Sequence, residues 1–206
     1  MKVAGVVLLK PNLFSMTNIL FVIGSTRKNS FNRQLANITE KLIAKYASNN
    51  CAQIQVHYLQ FDNLPFFNQD IEFPTPETVE KIRHEFSSAD GIWIFTPEYN
   101  QSYPGYLKNL IDWLSRPLKK NDFSSGTAIQ NKKITISGVS GKSAAGNSRK
   151  KLSELLTYVE SDLFLNEGTG FALNGESFKT DILNISDNDL DKLHSQVLDF
   201  LRFVKE

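Results

Sequence analysis

Five short strand-like runs alternate with segments whose apolar residues recur at helical spacing, and this rhythm constrains the fold more than any other feature of the chain. Ile19-Leu-Phe-Val-Ile23 is wholly apolar and stops at Gly24, as a strand buried on both faces of a parallel sheet does. Leu35, Ile38, Leu42, Ile43 and Tyr46 then form one stripe of an amphipathic helix. Ile54, Val56 and Tyr58 alternate with Gln55 and His57, which predicts a second strand near the sheet edge. A proline-punctuated stretch from Leu64 to Pro76 leads into a helix over about Thr78 to Ser87. Ile92-Trp-Ile-Phe95 reads as the third strand and Ile134-Thr-Ile136 as the fourth. A helix carrying Leu152, Leu155, Leu156 and Val159 precedes a fifth strand at Leu163-Phe-Leu165. The last helix has Ser186 as cap, Asp187, Asp189 and Asp191 near its start, and Arg202 and Lys205 at its end, matching the helix dipole. Such a series implies right-handed βαβ crossovers, with helices on both faces of a doubly wound parallel sheet.

Length and charge narrow the classes. A chain of 206 residues is at the upper side of one ordinary domain. Met16 stands just ahead of the first strand, so residues 1–15 are expected to be an N-terminal extension, disordered or laid on the surface, with the working domain over 16–206. The apolar run Val3 to Leu9 is broken by Lys10-Pro11-Asn12 with no A-x-A-like cleavage site behind it. No run approaches the length of a membrane span. Twenty-three Lys and Arg against 22 Asp and Glu argue against a nucleic-acid binder and against an acidic electron carrier. The single Cys51 and the scattered His57, His84 and His194 offer no metal set and fit a reducing cytoplasm.

In an open parallel sheet, ligands bind beyond the carboxyl ends of the strands at the point where the strand order reverses. The loops after strands one, three and four should therefore build the site. The first, Gly24 to Arg33, carries Ser25, Ser30, Asn29, Asn32 and the cations Arg27, Lys28 and Arg33, with no acid, at a helix N-terminus. Cations there oppose the helix dipole unless an anion such as phosphate occupies the loop. The alternative is a solvated loop in which Ser30 is an ordinary cap. The second, Thr96-Pro-Glu-Tyr-Asn-Gln-Ser-Tyr-Pro-Gly105, is stiffened by Pro97 and Pro104 and carries flat faces at Tyr99 and Tyr103. It suits a planar heterocycle, or is a rigid turn with incidental tyrosines. The third, Ser137 to Gly146, contains Gly141-Lys142-Ser143, but Ile136 stands where a phosphate-binding GxxxxGK[ST] loop needs glycine. A glycine- and serine-rich loop here lets backbone approach a flat ligand.

Gly24-Ser-Thr-Arg27-Lys-Asn-Ser30-Phe-Asn32 resembles the G-S-x-R-x-x-S-x-N loop of the NADPH-dependent FMN reductase family. Leu64-Pro-Phe-Phe-Asn68-Gln69-Asp70 is similar to that family's L-P-x-x-N-x-D segment, and Thr96-Pro-Glu-Tyr-Asn100 through Asp112-Trp113 to its long T-P-E-Y-N signature. The resemblance implies a flavodoxin-like fold with strand order 2-1-3-4-5. It implies that Ser25, Arg27, Ser30 and Asn32 hold an FMN phosphate, and that Pro97, Glu98, Tyr99 and Asn100 border the isoalloxazine. Ser137, Gly138, Ser140 and Gly141 would meet the ring's other side. The chain departs from the pattern at Ala144-Ala145, where family members often carry a glycine pair, and in its first 15 residues.

The activity implied is two-electron, ping-pong transfer from NADPH or NADH through FMN to a quinone or another electron-poor small molecule. No catalytic side chain is required, because the flavin carries the chemistry. A one-electron carrier and a non-enzymatic FMN-binding module are the alternatives. Assembly as a homodimer or homotetramer is expected from the resemblance. It is also expected because Tyr103, Tyr106, Leu107, Leu110, Ile111 and Trp113 are more apolar residues than one helix face buries.

Overall fold

The computed structural model describes residues 16–206, so the expectation for residues 1–15 lies outside the described residues. The strands and helices follow in order as β1 (Thr17–Ile23), α1 (Phe31–Asn49), β2 (Ile54–Tyr58), α2 (Glu77–Ser88), β3 (Gly91–Thr96) and α3 (Gly105–Leu114). After these come β4 (Pro117–Lys119), β5 (Asp122–Thr127), β6 (Lys133–Ser140), α4 (Gly146–Tyr158), β7 (Asp162–Ala172), α5 (Gly175–Thr180) and α6 (Asp187–Lys205). Five strands form one parallel sheet in the order β2-β1-β3-β6-β7. Each expected strand falls inside one of these five. The numbering jumps because β4 and β5 pair only with each other, as an antiparallel hairpin that the apolar rhythm did not disclose.

The central strands show why this sequence takes this arrangement. Along β1, Leu20 and Val22 enter one core while Ile19, Phe21 and Ile23 enter the other. On β3, Ile92 and Ile94 face the first core, and Trp93 and Phe95 the second. A strand apolar on both sides must be sandwiched, and helices cover it from both faces: α2, α3 and α4 on one, α1 and α6 on the other. β2 bonds only to β1 and alternates between half-buried and exposed residues, as its sequence anticipates for an edge.

Three local features position the site. Ser30 caps α1 by accepting a hydrogen bond from the Arg33 N–H at 3.1 Å, and Ser186 caps α6 in the same way through Asp189 at 3.2 Å. Within β7 the register with β6 shifts beyond Thr135, and Leu165, Asn166 and Gly168 take positive φ. The half-buried Arg149 ties this bulge down by donating to the Glu167 and Gly168 carbonyls at 2.8 and 3.0 Å. Only glycine fits at 168, since a Cβ there would lie 1.8 Å from the Ile136 carbonyl oxygen.

One expectation is corrected here. The apolar residues of α3 do not require a partner: Leu107, Leu110, Ile111, Trp113 and Leu114 are buried in their own core, with Tyr103 and Tyr106 half-buried against it. The buried face of α6 is formed by Leu193, Val197, Phe200 and Leu201 together with the amide of Gln196, which apolar periodicity passes over. Among the described residues, no helix is long and apolar enough to cross a membrane.

Candidate functional site

The first loop leaves β1 at Gly24, whose N–H bonds the Phe95 carbonyl at 2.7 Å. A Cβ at this position would sit 2.5 Å from Leu107 Cδ1, so glycine is what lets the loop turn so close to α3. The loop is internally tied. Ser25 is buried and its Oγ accepts from the Arg27 N–H at 3.4 Å, while the Ser30 N–H donates to the Arg27 carbonyl at 3.1 Å. Asn32 is almost fully buried. Its amide donates to the Val139 carbonyl at 3.1 Å and its carbonyl accepts the Val139 N–H at 3.0 Å, which pins the start of α1 to the end of β6.

The second loop is fastened to α4. Thr96 Oγ1 and Ser148 Oγ lie 2.8 Å apart, and Ser148 Oγ donates to the Pro97 carbonyl at 2.8 Å. Ala145 precedes α4 in a left-handed conformation and offers no capping side chain. Glu98 takes that part, accepting from the Ser148 N–H at 3.1 Å and from the Asn147 amide at 3.4 Å. Partial burial disfavours its charged form, yet hydrogen bonds from Ser148, Ser143 and Asn147 outweigh this and hold the carboxyl below the ordinary glutamate range. Beyond it, Tyr99 and Ser102 exchange two backbone hydrogen bonds around Asn100 and Gln101, both at positive φ, which is a tight type I′ turn. The turn leaves Tyr99 half exposed and Asn100 at its outer end.

In the third loop, Ser140 Oγ accepts from the Ala145 N–H at 2.7 Å and lies 2.9 Å from Ser143 Oγ. Ala144 and Ala145 both adopt left-handed backbone, at φ 49° and 56°. Where the resemblance suggests a glycine pair, this chain holds the glycine-like conformation with alanines.

These loops converge. Ser25, Arg27, Ser30, Asn32, Pro97, Glu98, Tyr99, Ser140 and Gly141 line one cavity of about 240 Å³, together with Phe31, Val139, Leu173 and Phe178. Asn100 lies outside it. Ser137 and Gly138 stand apart as well, contrary to the sequence expectation. Ser137 is fully buried, accepting from Trp93 Nε1 at 3.0 Å and donating to Gln196 Oε1 at 2.9 Å. At Gly138 a Cβ would come within 2.6 Å of Ala145 Cβ, so this glycine serves the packing of β6 on the start of α4.

The first loop is also less one-sided in charge than its sequence suggests. Asp181, at the end of α5, forms an ion pair with Arg27 and accepts from the Asn29 amide at 2.8 Å. These bonds hold its carboxyl below the ordinary aspartate range. Neither Asp181 nor Phe178 carries a sequence signal, because α5 spans only six residues and no helical period can declare itself in so short a segment.

Residues 17–166 match the family model described as NADPH-dependent FMN reductase. The chain belongs to that family. A 2-hydroxy-1,4-benzoquinone reductase from a Burkholderia species is 38% identical over 99 residues, covering 48% of this chain and 50% of that protein. The chain spans about half the length of the curated relatives it matches. Among solved structures, FerB from Paracoccus denitrificans, a flavoenzyme NAD(P)H:(acceptor) oxidoreductase, superposes with a TM-score of 0.76 at 26% identity, over 92% of this chain and 98% of that one. An archaeal flavodoxin superposes with a TM-score of 0.55 at 16% identity, over 92% of this chain and all of that one, which bears on the fold alone. Leu173 and Phe178 line the cavity, and Asp181 pairs with Arg27, from beyond the matched segment.

Proposed function

We propose that this chain is a cytoplasmic FMN-dependent oxidoreductase that takes two electrons from NADPH or NADH and delivers them to a quinone or another electron-poor small molecule. One observation carries the reading: Arg27 and Asn29, beside the N-terminus of α1, already hold an oxyanion in the form of the Asp181 carboxylate. A loop with that donor set fits a phosphate. The family membership and the quinone reductase named among the relatives point the same way.

When bound, FMN supplies the two-electron chemistry itself, so the protein requires no acid–base pair. Its residues have other tasks. Arg27, with Ser25 and Ser30, would bind the phosphate, and Asn32 would keep the loop in place through Val139. Pro97, Glu98 and Tyr99 would form a fixed border for the flat ring, with Asn100 shaping the turn behind it. Glu98 would hold that border against α4. Ser140 and Gly141 would face the ring from the third loop, and a Cβ at Gly141 would meet open space. Ser137 and Gly138 would act from behind, one in the core and one in packing. Self-association into a homodimer or homotetramer belongs to the same proposal on the resemblance alone, and light scattering at micromolar concentration tests it.

The deciding experiment is steady-state oxidation of NADPH and NADH by the FMN-loaded protein with a benzoquinone acceptor, both substrates varied. Parallel initial-rate lines are expected. FMN binding with no NAD(P)H oxidation would make the chain a binding module, and single-electron delivery to the acceptor would make it a carrier.

A further inference from the structure

The loop assigned to the phosphate meets negative charge from its own chain. Asp181 is 154 residues from Arg27 in sequence, and its left-handed backbone, φ 58°, ends α5 so that the side chain faces the loop. Arg27 Nη2 donates to Asp181 Oδ1. Asn29 Nδ2 donates to Asp181 Oδ2 at 2.8 Å and to its backbone carbonyl at 3.1 Å. Gln34, on the first turn of α1, donates to the same carbonyl at 3.0 Å and accepts from the Leu183 N–H at 2.7 Å. Phe178 packs edge-on against Phe31, and the Phe31 ring carries the Arg27 guanidinium 5.6 Å from its centroid. The segment from Phe178 to Leu183 is thus strapped across the mouth of the loop.

The strap is anchored at Leu183, which is buried in the core with α1 and α6, but its contacts to Arg27 and Asn29 are held lightly. Both members of the ion pair are about half exposed, at 50% and 45%, a setting in which such pairs contribute little. Phe178 and Ile182 are 61% and 62% exposed, so apolar burial adds little there. The donors that close the strap are also the ones an incoming phosphate needs. A carboxylate and a phosphate cannot share them without repulsion, so one must leave.

We propose that Asp181 is an internal competitor for the FMN phosphate, and that the phosphate binds by displacing the α5 strap from Arg27 and Asn29. This rests on the FMN reading given above. The apparent affinity for a phosphate-bearing flavin is then reduced by the fraction of molecules in which the strap is closed, whereas a flavin without phosphate is not affected.

Titration of the FMN-free protein with FMN and with riboflavin, in the parent and in Asp181→Asn, tests this. Asparagine tolerates the left-handed backbone, and a circular dichroism melt checks that the variant is folded. The variant is expected to bind FMN at least about threefold more tightly, with riboflavin affinity unchanged. Inorganic phosphate should also raise its melting temperature more than that of the parent. Equal or weaker FMN binding by the variant, or an equal gain for riboflavin, overturns the competitor role and leaves the FMN reading standing. Failure of both proteins to bind FMN overturns the two together.

Discussion

The carboxylate of Glu98 and the backbone N–H of Ser148 meet at 3.1 Å, so a side chain from the loop after β3 closes the N-terminus of α4. The three residues Thr96, Pro97 and Glu98 all bond to α4, Thr96 and Pro97 through the Ser148 hydroxyl and Glu98 through the helix amides. One border of the cavity is thereby made part of the helix beside it. Replacing Glu98 by Ala should cost about 1 kcal/mol at pH 7, as the loss of a helix cap does.

The same contact has a definite pH dependence. Folding lowers the Glu98 carboxyl below its ordinary value, so the stabilisation is complete above about pH 4.3 and is lost as pH falls through the folded value. Urea midpoints of the parent and Glu98→Ala should differ at pH 7 and converge in acid, as pH falls through the lowered folded value. A gap that persists in acid would assign the effect to packing.

Arg27→Ala should weaken FMN binding about tenfold to a hundredfold, the loss of one charge-assisted contact. Riboflavin should bind the parent and the variant alike. Undiminished FMN binding would remove Arg27 from the phosphate site.

Asn32 satisfies both backbone groups of Val139 from a buried position, so its truncation strands a donor and an acceptor together. Asn32→Ala should lose about 2–4 kcal/mol of stability, and its FMN affinity should fall with the slackened loop. A loss under about 1 kcal/mol in denaturant titration would show that water takes over both groups.

Ala144 occupies left-handed backbone at φ 49° without being buried. Ala144→Gly should stabilise the protein by about 0.5–1 kcal/mol, because the relief of the Cβ clash exceeds the added freedom of the unfolded chain. Denaturation midpoints at equal m-value give the comparison. A drop would mean that the alanine methyl packs more productively than its backbone suggests.

Much of the sheet was legible because its central strands are apolar on both faces, a pattern that Ile19–Ile23 and Ile92–Phe95 display without help from the rest of the chain. The caps of α1 and α6 were legible for a similar reason, since Ser30 and Ser186 act within one turn. The hairpin of β4 and β5 was not, as its strands are short and half exposed and have no apolar face to announce them. In the site, residue types pointed to the loops that line the cavity but not to the direction of each side chain. Successive residues of β6 and its loop face opposite ways, so Ser137 enters the core while Ser140 reaches the cavity. The balance of charge at Arg27 was hidden altogether, because its counter-ion arrives from the far side of β7.

Both tryptophans of the chain are wholly buried, and each indole N–H has a partner: Trp93 donates to Ser137 at 3.0 Å, and Trp113 to the Pro65 carbonyl at 2.8 Å. The intrinsic emission of the folded protein therefore comes from two dry, immobilised fluorophores and should shift to the red as water reaches them. They watch different places. Trp93 stacks with Phe95 in the aromatic layer beneath α6, whereas Trp113 on α3 meets Phe67 edge-on in the proline-rich segment. Single-tryptophan forms, Trp93→Phe and Trp113→Phe, would thus give each side of the sheet its own optical trace, and coincidence of the two curves would show that both sides come apart in one transition.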